Sequence, residues 1–325
     1  MQRREFIALA GGAALAPVAR PFAAHAQQRP KKIPRIGIID DGPLWEHFRQ
    51  ALREAGYIDG RTIAFETRAA GSKPDRLAAA AAELVRLPVD VIATYGTPAS
   101  RAAKAATTTI PIVMISVGDP VGAGLVQSLG HPRGNITGTT ILASDLSAKR
   151  LQLIKEVLPS ASRVALFWNP DNVSNTMILE ELRKAAPALG LAFTAVEARS
   201  AGDLEGAFAT LIRERPDAVV FTNDPLHQGH IQKIISFLFQ QGLPGMFQNR
   251  DNVVAGGLMS YGASFPDLFR HGATYVQKIL QGTKPAEIPV QTPQRFELVI
   301  NLKTAKTIGV TISEQVVLRA DAVIE

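Results

Sequence analysis

Pro88-Val-Asp90-Val-Ile-Ala-Thr-Tyr95-Gly96-Thr97-Pro98 reads as a buried β-strand that runs straight into the first turn of a helix, and Pro216-Asp217-Ala-Val-Val-Phe-Thr-Asn223-Asp224-Pro225 repeats it. In both, a short apolar run follows a turn, and a proline then stands where a helix tolerates a missing N–H. Strand start (Asp90, Asp217) and helix start (Pro98, Pro225) share one offset of 127 residues. Equal offsets are the trace of a fold built twice.

Outward from the first stretch, β-branched runs near 35–40, 62–68, 89–95 and 111–117 alternate with Ala/Leu-rich amphipathic stretches near 44–56, 74–87 and 98–108. That alternation predicts βαβ units on a parallel sheet. A second series follows, with helices at 145–158, 173–188, 203–214 and 226–241 and strands at 163–168, 191–197, 217–222 and 243–248. After it come a short run, Gly257-Leu-Met-Ser-Tyr261, a helix at 265–282, and a tail containing Phe296-Glu-Leu-Val-Ile-Asn301. The expected fold is α/β, two Rossmann-like lobes with parallel sheets joined by a three-stranded hinge. Residues 34–140 plus 253–285 are assigned to the N-terminal lobe and 141–252 plus 286–325 to the C-terminal lobe, with crossings near 138–144, 250–257 and 284–296.

The N-terminus carries Arg3-Arg4-x-Phe6, a weakly apolar Ala/Gly-rich run and Ala24-His25-Ala26. This order predicts a cleavable signal peptide over 1–26, with a core resembling a twin-arginine signal, and hence a periplasmic protein. Of the formal net charge of +6, the residues Arg3, Arg4, Arg20 and Glu5 account for +2, and the remaining basic residues are scattered among acids. No basic stripe for nucleic acid is visible. The absence of cysteine excludes disulfides, thiolate catalysis and a lipid-modified N-terminal cysteine.

In open α/β sheets ligands bind beyond the carboxyl ends of the strands. Those ends are Asp40-Asp41-Gly42-Pro43, Gly96-Thr97-Pro98, Gly118-Asp119-Pro120, Trp168-Asn169-Pro170, Asn223-Asp224-Pro225, Asn249-Arg250-Asp251 and Ser260-Tyr261-Gly262. From them Asp41, Thr97, Pro98, Asp119, Asn169, Asn223, Asp224 and Tyr261 are taken as candidate ligand contacts. Each polar one also suits a helix N-cap worth about 1 kcal/mol. Enzyme signatures are missing: there is no Gly-x-Ser-x-Gly elbow, no Gly-x-Gly-x-x-Gly after the first strand and no phosphate loop. His227 and His230, three apart on a helix, lack a third metal ligand nearby and read as a solvated helix face. No cofactor and no metal are expected.

Gly56-Tyr57-x-x-Gly60, Lys73-Pro74-Asp75-Arg76-Leu77, Gly118-Asp119-Pro120-Val121-Gly122, Gly134-Asn135-Ile136-Thr137-Gly138, Gly256-Gly257-Leu258-Met259-Ser260-Tyr261-Gly262 and the tail from Phe296 to Ala305 together resemble the ABC transporter substrate-binding protein family, as typified by its tryptophan-binding members. The resemblance implies a type I periplasmic-binding-protein fold and a non-catalytic monomer. It further implies a small solute, an amino acid or related polar compound, held between the lobes for a membrane permease with an ATPase subunit. A secreted sensor feeding a signalling partner is the rival reading. The loop Asp40-Asp41-Gly42-Pro43 is more acidic than the family's usual Gly-rich version, which argues against an anionic ligand.

Overall fold

The structure is a computed structural model that describes residues 33–71 and 73–325. The leader expected over 1–26 lies outside the described residues. The first sheet holds β1 (Arg35–Ile39), β2 (Ala64–Arg68), β3 (Val91–Tyr95), β4 (Ile112–Val117) and β5 (Ile136–Thr140) in the order β2-β1-β3-β4-β5, all parallel. Its inner strands β1, β3 and β4 are largely apolar and buried because helices cover both faces, whereas the edge strand β2 (Ala64–Arg68) carries Glu66, Thr67 and Arg68. Ile36, Ile38, Ala93, Val113 and Ile115 point to one core, and Ile39, Ile92, Ile112 and Met114 to another. The period of two inside each strand thus deals its side chains to two layers.

On the first face lies α1 (Trp45–Glu54), which buries Trp45, Phe48 and Leu52 at i, i+3 and i+7. The opposite face is covered by α2 (Pro74–Arg86), which buries Leu77, Ala80, Ala81 and Leu84, and by α3 (Gly96–Ala106). Each fully buried Phe or Leu contributes about 1.5–3 kcal/mol relative to its exposed state.

The second sheet holds β6 (Arg163–Trp168), β7 (Ala192–Glu197), β8 (Ala218–Phe221), β9 (Gly245–Phe247), β10 (Met259–Ala263), β11 (Phe296–Asn301) and β12 (Ala322–Ile324). Their order is β12-β11-β10-β9-β8-β6-β7, and the β10–β11 pair is antiparallel. Its helices are α4 (Ser147–Val157), α5 (Val173–Ala185), α6 (Leu204–Glu214), α7 (Pro225–Gln228), α8 (Ile231–Gln240), α9 (Arg250–Val254), α11 (Leu302–Thr307) and α12 (Glu314–Val317), whereas α10 (Phe265–Leu280) belongs elsewhere. It lies on the first lobe, packing Phe269 and Ala273 into the same core as Phe48 and Ile115.

Besides the short α9, α11, α12 and β12, which the sequence reading did not name, three elements differ from it. The run at 257–261 stays in the second sheet, because β10 pairs in register with β9 (Met259↔Met246) and with β11 (Tyr261↔Leu298). The chain therefore crosses to the first lobe between β10 and α10, several residues later than 250–257. The helix expected over 226–241 is broken into α7 and α8 at Gly229-His230. Finally, the five-residue β5 is too short and too Thr/Gly-rich to announce itself as a strand.

Strand β5 and the passage before β11 run side by side. Gln291 N–H donates to the Gly138 carbonyl at 2.9 Å, Thr140 N–H to the Gln291 carbonyl at 3.0 Å, and Thr137 Oγ1 to the Ile288 carbonyl at 2.6 Å. Arg150 on α4 ties the passage after β5 to strand β10. Its Nε donates to the Tyr261 carbonyl and its Nη1 to the Ala143 carbonyl, both at 2.9 Å, and it is 1% exposed. Burial pulls its pKa down to about 9.

Candidate functional site

A cavity of about 510 Å³ opens between the two sheets at the carboxyl ends of β1, β3, β8 and β9. That size suits a small solute. From the first lobe it is walled by Asp40, Asp41, Leu44, Trp45, Tyr95 and Phe269. Trp45 meets Phe269 edge to face at 5.3 Å between centroids, and Tyr95 lies 5.5 Å from the same ring. Tyr95 accepts a hydrogen bond from Asn223 Nδ2 across the lobes at 3.3 Å, and burial raises its pKa well above the usual phenol value.

The loop that carries this wall is held in a sparsely populated conformation. Asp40 has φ of 56°, its carboxylate accepts the N–H groups of Ala70 and Gly71, and its carbonyl accepts the Trp45 indole N–H at 2.8 Å. Backbone strain of this kind persists only where surrounding bonds over-determine it, and it collects at ligand sites. From the second lobe the cavity is closed by Leu226, Gln228, His230, Asn249, Asp251 and Asn252.

The two lobes touch beside the cavity. Thr97 Oγ1 and Ser174 Oγ are 2.8 Å apart, and the Asp119 N–H donates to Ser174 Oγ at 3.3 Å. A Cβ placed on Gly118 would lie 2.7 Å from the Ser174 Cβ, and one on Gly96 3.0 Å from Pro225 Cγ. Glycine at these two positions is what lets the lobes approach.

Of the residues singled out from sequence, Asp41 lines the cavity, where its carboxylate accepts the Gly42 N–H at 2.8 Å and pairs with Arg49. Thr97 sits at the lobe contact instead, and Pro98 follows it in the first turn of α3, outside the cavity lining. Asp119 accepts the N–H groups of Val121 and Gly122, both at 2.9 Å, and borders a separate groove with Ser144, Asp145 and Met177. Tyr261 packs toward Phe296 at 6.2 Å and is absent from the cavity lining.

Asp224 is 1% exposed and surrounded by donors. Its Oδ1 accepts the Leu226 N–H at 3.0 Å and Asn169 Nδ2 at 3.3 Å, and its Oδ2 accepts Asn172 Nδ2 at 2.8 Å and Asn175 Nδ2 at 3.2 Å. Asn169 and Asn172 in turn accept backbone N–H groups through their oxygens, which fixes the direction of their amides. With both oxygens doubly engaged, this carboxylate organises the cluster of asparagines around it. Asn223 next to it makes the cross-lobe bond to Tyr95.

His227 is 2% exposed beside this cluster rather than on a solvated face, because the break at Gly229 turns α7 inward. Its Nε2 lies 3.4 Å from the Ala198 carbonyl, and burial lowers its pKa. Among the described residues no group of three or more His, Cys, Asp or Glu side chains is placed to hold a metal.

Sequence reasoning missed Trp45, Tyr95, Phe269 and Asn252. The strand-exit rule reached the loops that precede three of them. An aromatic one residue inside a helix reads as core, and Trp45, at 1% exposure, is core and cavity wall together.

A sequence model of the family described as ABC transporter substrate binding protein matches residues 44–324. The chain belongs to that family. Among relatives of this substrate-binding protein, the tyrosine-binding protein of Clostridioides difficile strain R20291 is 28% identical over 262 residues, covering 80% of this chain and 75% of the relative. A conserved domain protein of Vibrio cholerae superposes with a TM-score of 0.84 at 29% identity, covering 90% of this chain and all of that one. An ABC domain from Streptococcus pneumonia in complex with L-Trp superposes with a TM-score of 0.81 at 25% identity, covering 90% and 99%. The two-lobed α/β architecture of this family member is the type I periplasmic-binding-protein fold.

Proposed function

We propose that this protein is the exported solute-binding component of an ABC-type importer and that it encloses an amino acid or amino-acid-like solute bearing a planar or apolar group. The observation that carries the reading is the cavity between the lobes, with Trp45, Tyr95 and Phe269 on one wall and polar side chains from Gln228 to Asn252 on the other. Aromatic walls take the apolar body of a solute, and a few placed polar groups fix its orientation. The tyrosine-binding relative and the neighbour in complex with L-Trp support an amino acid of this kind. The passages after β5, after β10 and before β11 act as the hinge. Export follows from the Arg3-Arg4-x-Phe6 leader, and a membrane permease with its ATPase is the partner that a periplasmic monomer of this family serves.

A thermal-shift screen over amino acids, aromatic carboxylates and sugars tests the reading. A solute at a hundredfold excess over its Kd is expected to stabilise the protein by about 2.7 kcal/mol. Tyrosine, tryptophan or phenylalanine is expected among the hits. A screen in which no compound of these classes moves the melting temperature overturns the receptor reading.

A further inference from the structure

We infer that Met177 is a modification site: oxidation of its thioether by a peroxide obstructs lobe closure and lowers solute affinity. The inference rests on the receptor reading above and adds a site outside the cavity.

The methionines are unequally placed. Met114, Met246 and Met259 are buried in strands at 0%, 1% and 2% exposure, whereas Met177 on α5 is only partly buried and lines the groove beside the lobe contact. The chain has no cysteine, so among the described residues Met177 carries the sulfur that an oxidant reaches first.

Helical spacing sets what this sulfur touches. Ser174 and Met177 stand three apart on α5 and share one face, which meets the first lobe's loop at 118–122. Ser174 Oγ accepts the Asp119 N–H at 3.3 Å. One turn further, a Cβ placed on Gly122 would lie 2.7 Å from the Met177 sulfur and 2.9 Å from its methyl carbon. The sulfur therefore rests against the Gly122 backbone across the lobes, with no room for another heavy atom between them.

The charge around the contact is also unfavourable to an added oxygen. The same Cβ position lies 2.7 Å from Asp119 Oδ2, while Asp119 Oδ1 accepts the Val121 and Gly122 N–H groups. In the groove, of about 440 Å³, the carboxylates of Asp119, Asp145, Glu180 and Glu181 face one ammonium, that of Lys184, which is paired with Glu181 at 2.9 Å. An apolar thioether tolerates these neighbours. A sulfoxide oxygen carries partial negative charge and only accepts hydrogen bonds, so in the closed arrangement it crowds Gly122 and meets like charge. Parting the lobes carries Gly122 and Asp119 away from it.

The step is a two-electron transfer. The thioether sulfur attacks one oxygen of hydrogen peroxide, the O–O bond breaks as the S=O bond forms, and the second oxygen leaves as water. Sulfur is oxidised and the peroxide reduced. Solute, by favouring closure, in turn shields the sulfur.

Hydrogen peroxide treatment of the purified protein tests this. Peptide mass spectrometry follows each methionine, and L-phenylalanine, L-tyrosine and L-tryptophan are titrated calorimetrically after catalase has removed the peroxide. Met177 is expected to oxidise at least about tenfold faster than Met114, Met246 and Met259, and more slowly in the presence of a bound amino acid. The oxidised protein is expected to bind that amino acid about fivefold to a hundredfold more weakly, the range of an ordinary coupling between two sites. Reduction by the two epimer-specific methionine sulfoxide reductases with a dithiol is expected to restore the affinity, which a protein unfolded or damaged elsewhere would not regain. Met177→Leu, whatever its own starting affinity, is expected to keep it through peroxide treatment. Unchanged affinity once Met177 is fully oxidised overturns the inference and leaves the receptor reading standing. So does an equal loss of affinity in peroxide-treated Met177→Leu. If the untreated protein binds none of the three amino acids, the aromatic-solute reading falls and the inference falls with it.

Discussion

Asp224→Asn is expected to lower the free energy of unfolding by about 2–3 kcal/mol, although asparagine caps a helix about as well as aspartate does. The reason lies in the donors that converge on it. Asn169, Asn172 and Asn175 all point amide nitrogens at the carboxylate, two of them held in that direction by backbone N–H groups bonded to their oxygens. An amide at position 224 keeps one acceptor for the Leu226 N–H and turns an NH₂ group toward donors. At 1% exposure no water relieves that opposition. Chemical denaturation of the wild type and the variant measures it directly. A loss within about 0.5 kcal/mol, the size of an ordinary surface substitution, would show that the amides reorient freely and that Asp224 is merely a cap.

Gly118→Val is expected to weaken solute binding by roughly tenfold to a hundredfold while leaving the unliganded protein's melting temperature nearly unchanged. The added Cβ lies 2.7 Å from the Ser174 Cβ and 3.6 Å from the Ala143 Cβ, so the closed arrangement is overpacked at the lobe contact. An arrangement in which the lobes part would separate Gly118 from Ser174 and relieve that overlap. The cost therefore falls on closure alone, and it appears in affinity. Titration of the variant with whichever solute emerges from the thermal screen reads the effect. Wild-type affinity in Gly118→Val would mean that the solute binds without this contact forming.

Much of the fold was legible because the central strands announce themselves as short apolar runs with little polar alternation, as a sheet covered on both faces asks. Ile36 to Ile39 and Ile112 to Val117 are such runs, and the structure sends their alternate residues to two helical layers. What could not be read was the lobe to which an isolated run belongs. Gly257 to Tyr261 carries no mark of its partners, and its place is decided by β9 and β11, the latter nearly forty residues away.

The site was legible at the level of loops and not of side chains. Strand exits named the Asp40-Asp41 loop and the Asn249-Arg250-Asp251 loop, and both line the cavity. Thr97 and Asp224 carried the internal repeat and so drew the eye, yet one forms the lobe contact and the other organises a hydrogen-bond cluster. The repeat preserves the helix starts on which two lobes meet. The cavity is lined instead by residues such as Trp45 and Asn252, which have no counterpart in that repeat and resemble ordinary helix residues in sequence.

The central claim is that solute lies between the lobes against Trp45. The chain has two tryptophans, and the other, Trp168, is buried at the end of β6 away from the cavity lining. Trp168→Phe leaves Trp45 as the sole indole, and titration of that variant with phenylalanine, which does not emit in its range, follows the cavity wall alone. The account predicts a saturable change in Trp45 emission whose midpoint equals the calorimetric Kd. A solute that binds and stabilises the protein while leaving Trp45 emission unmoved would contradict it.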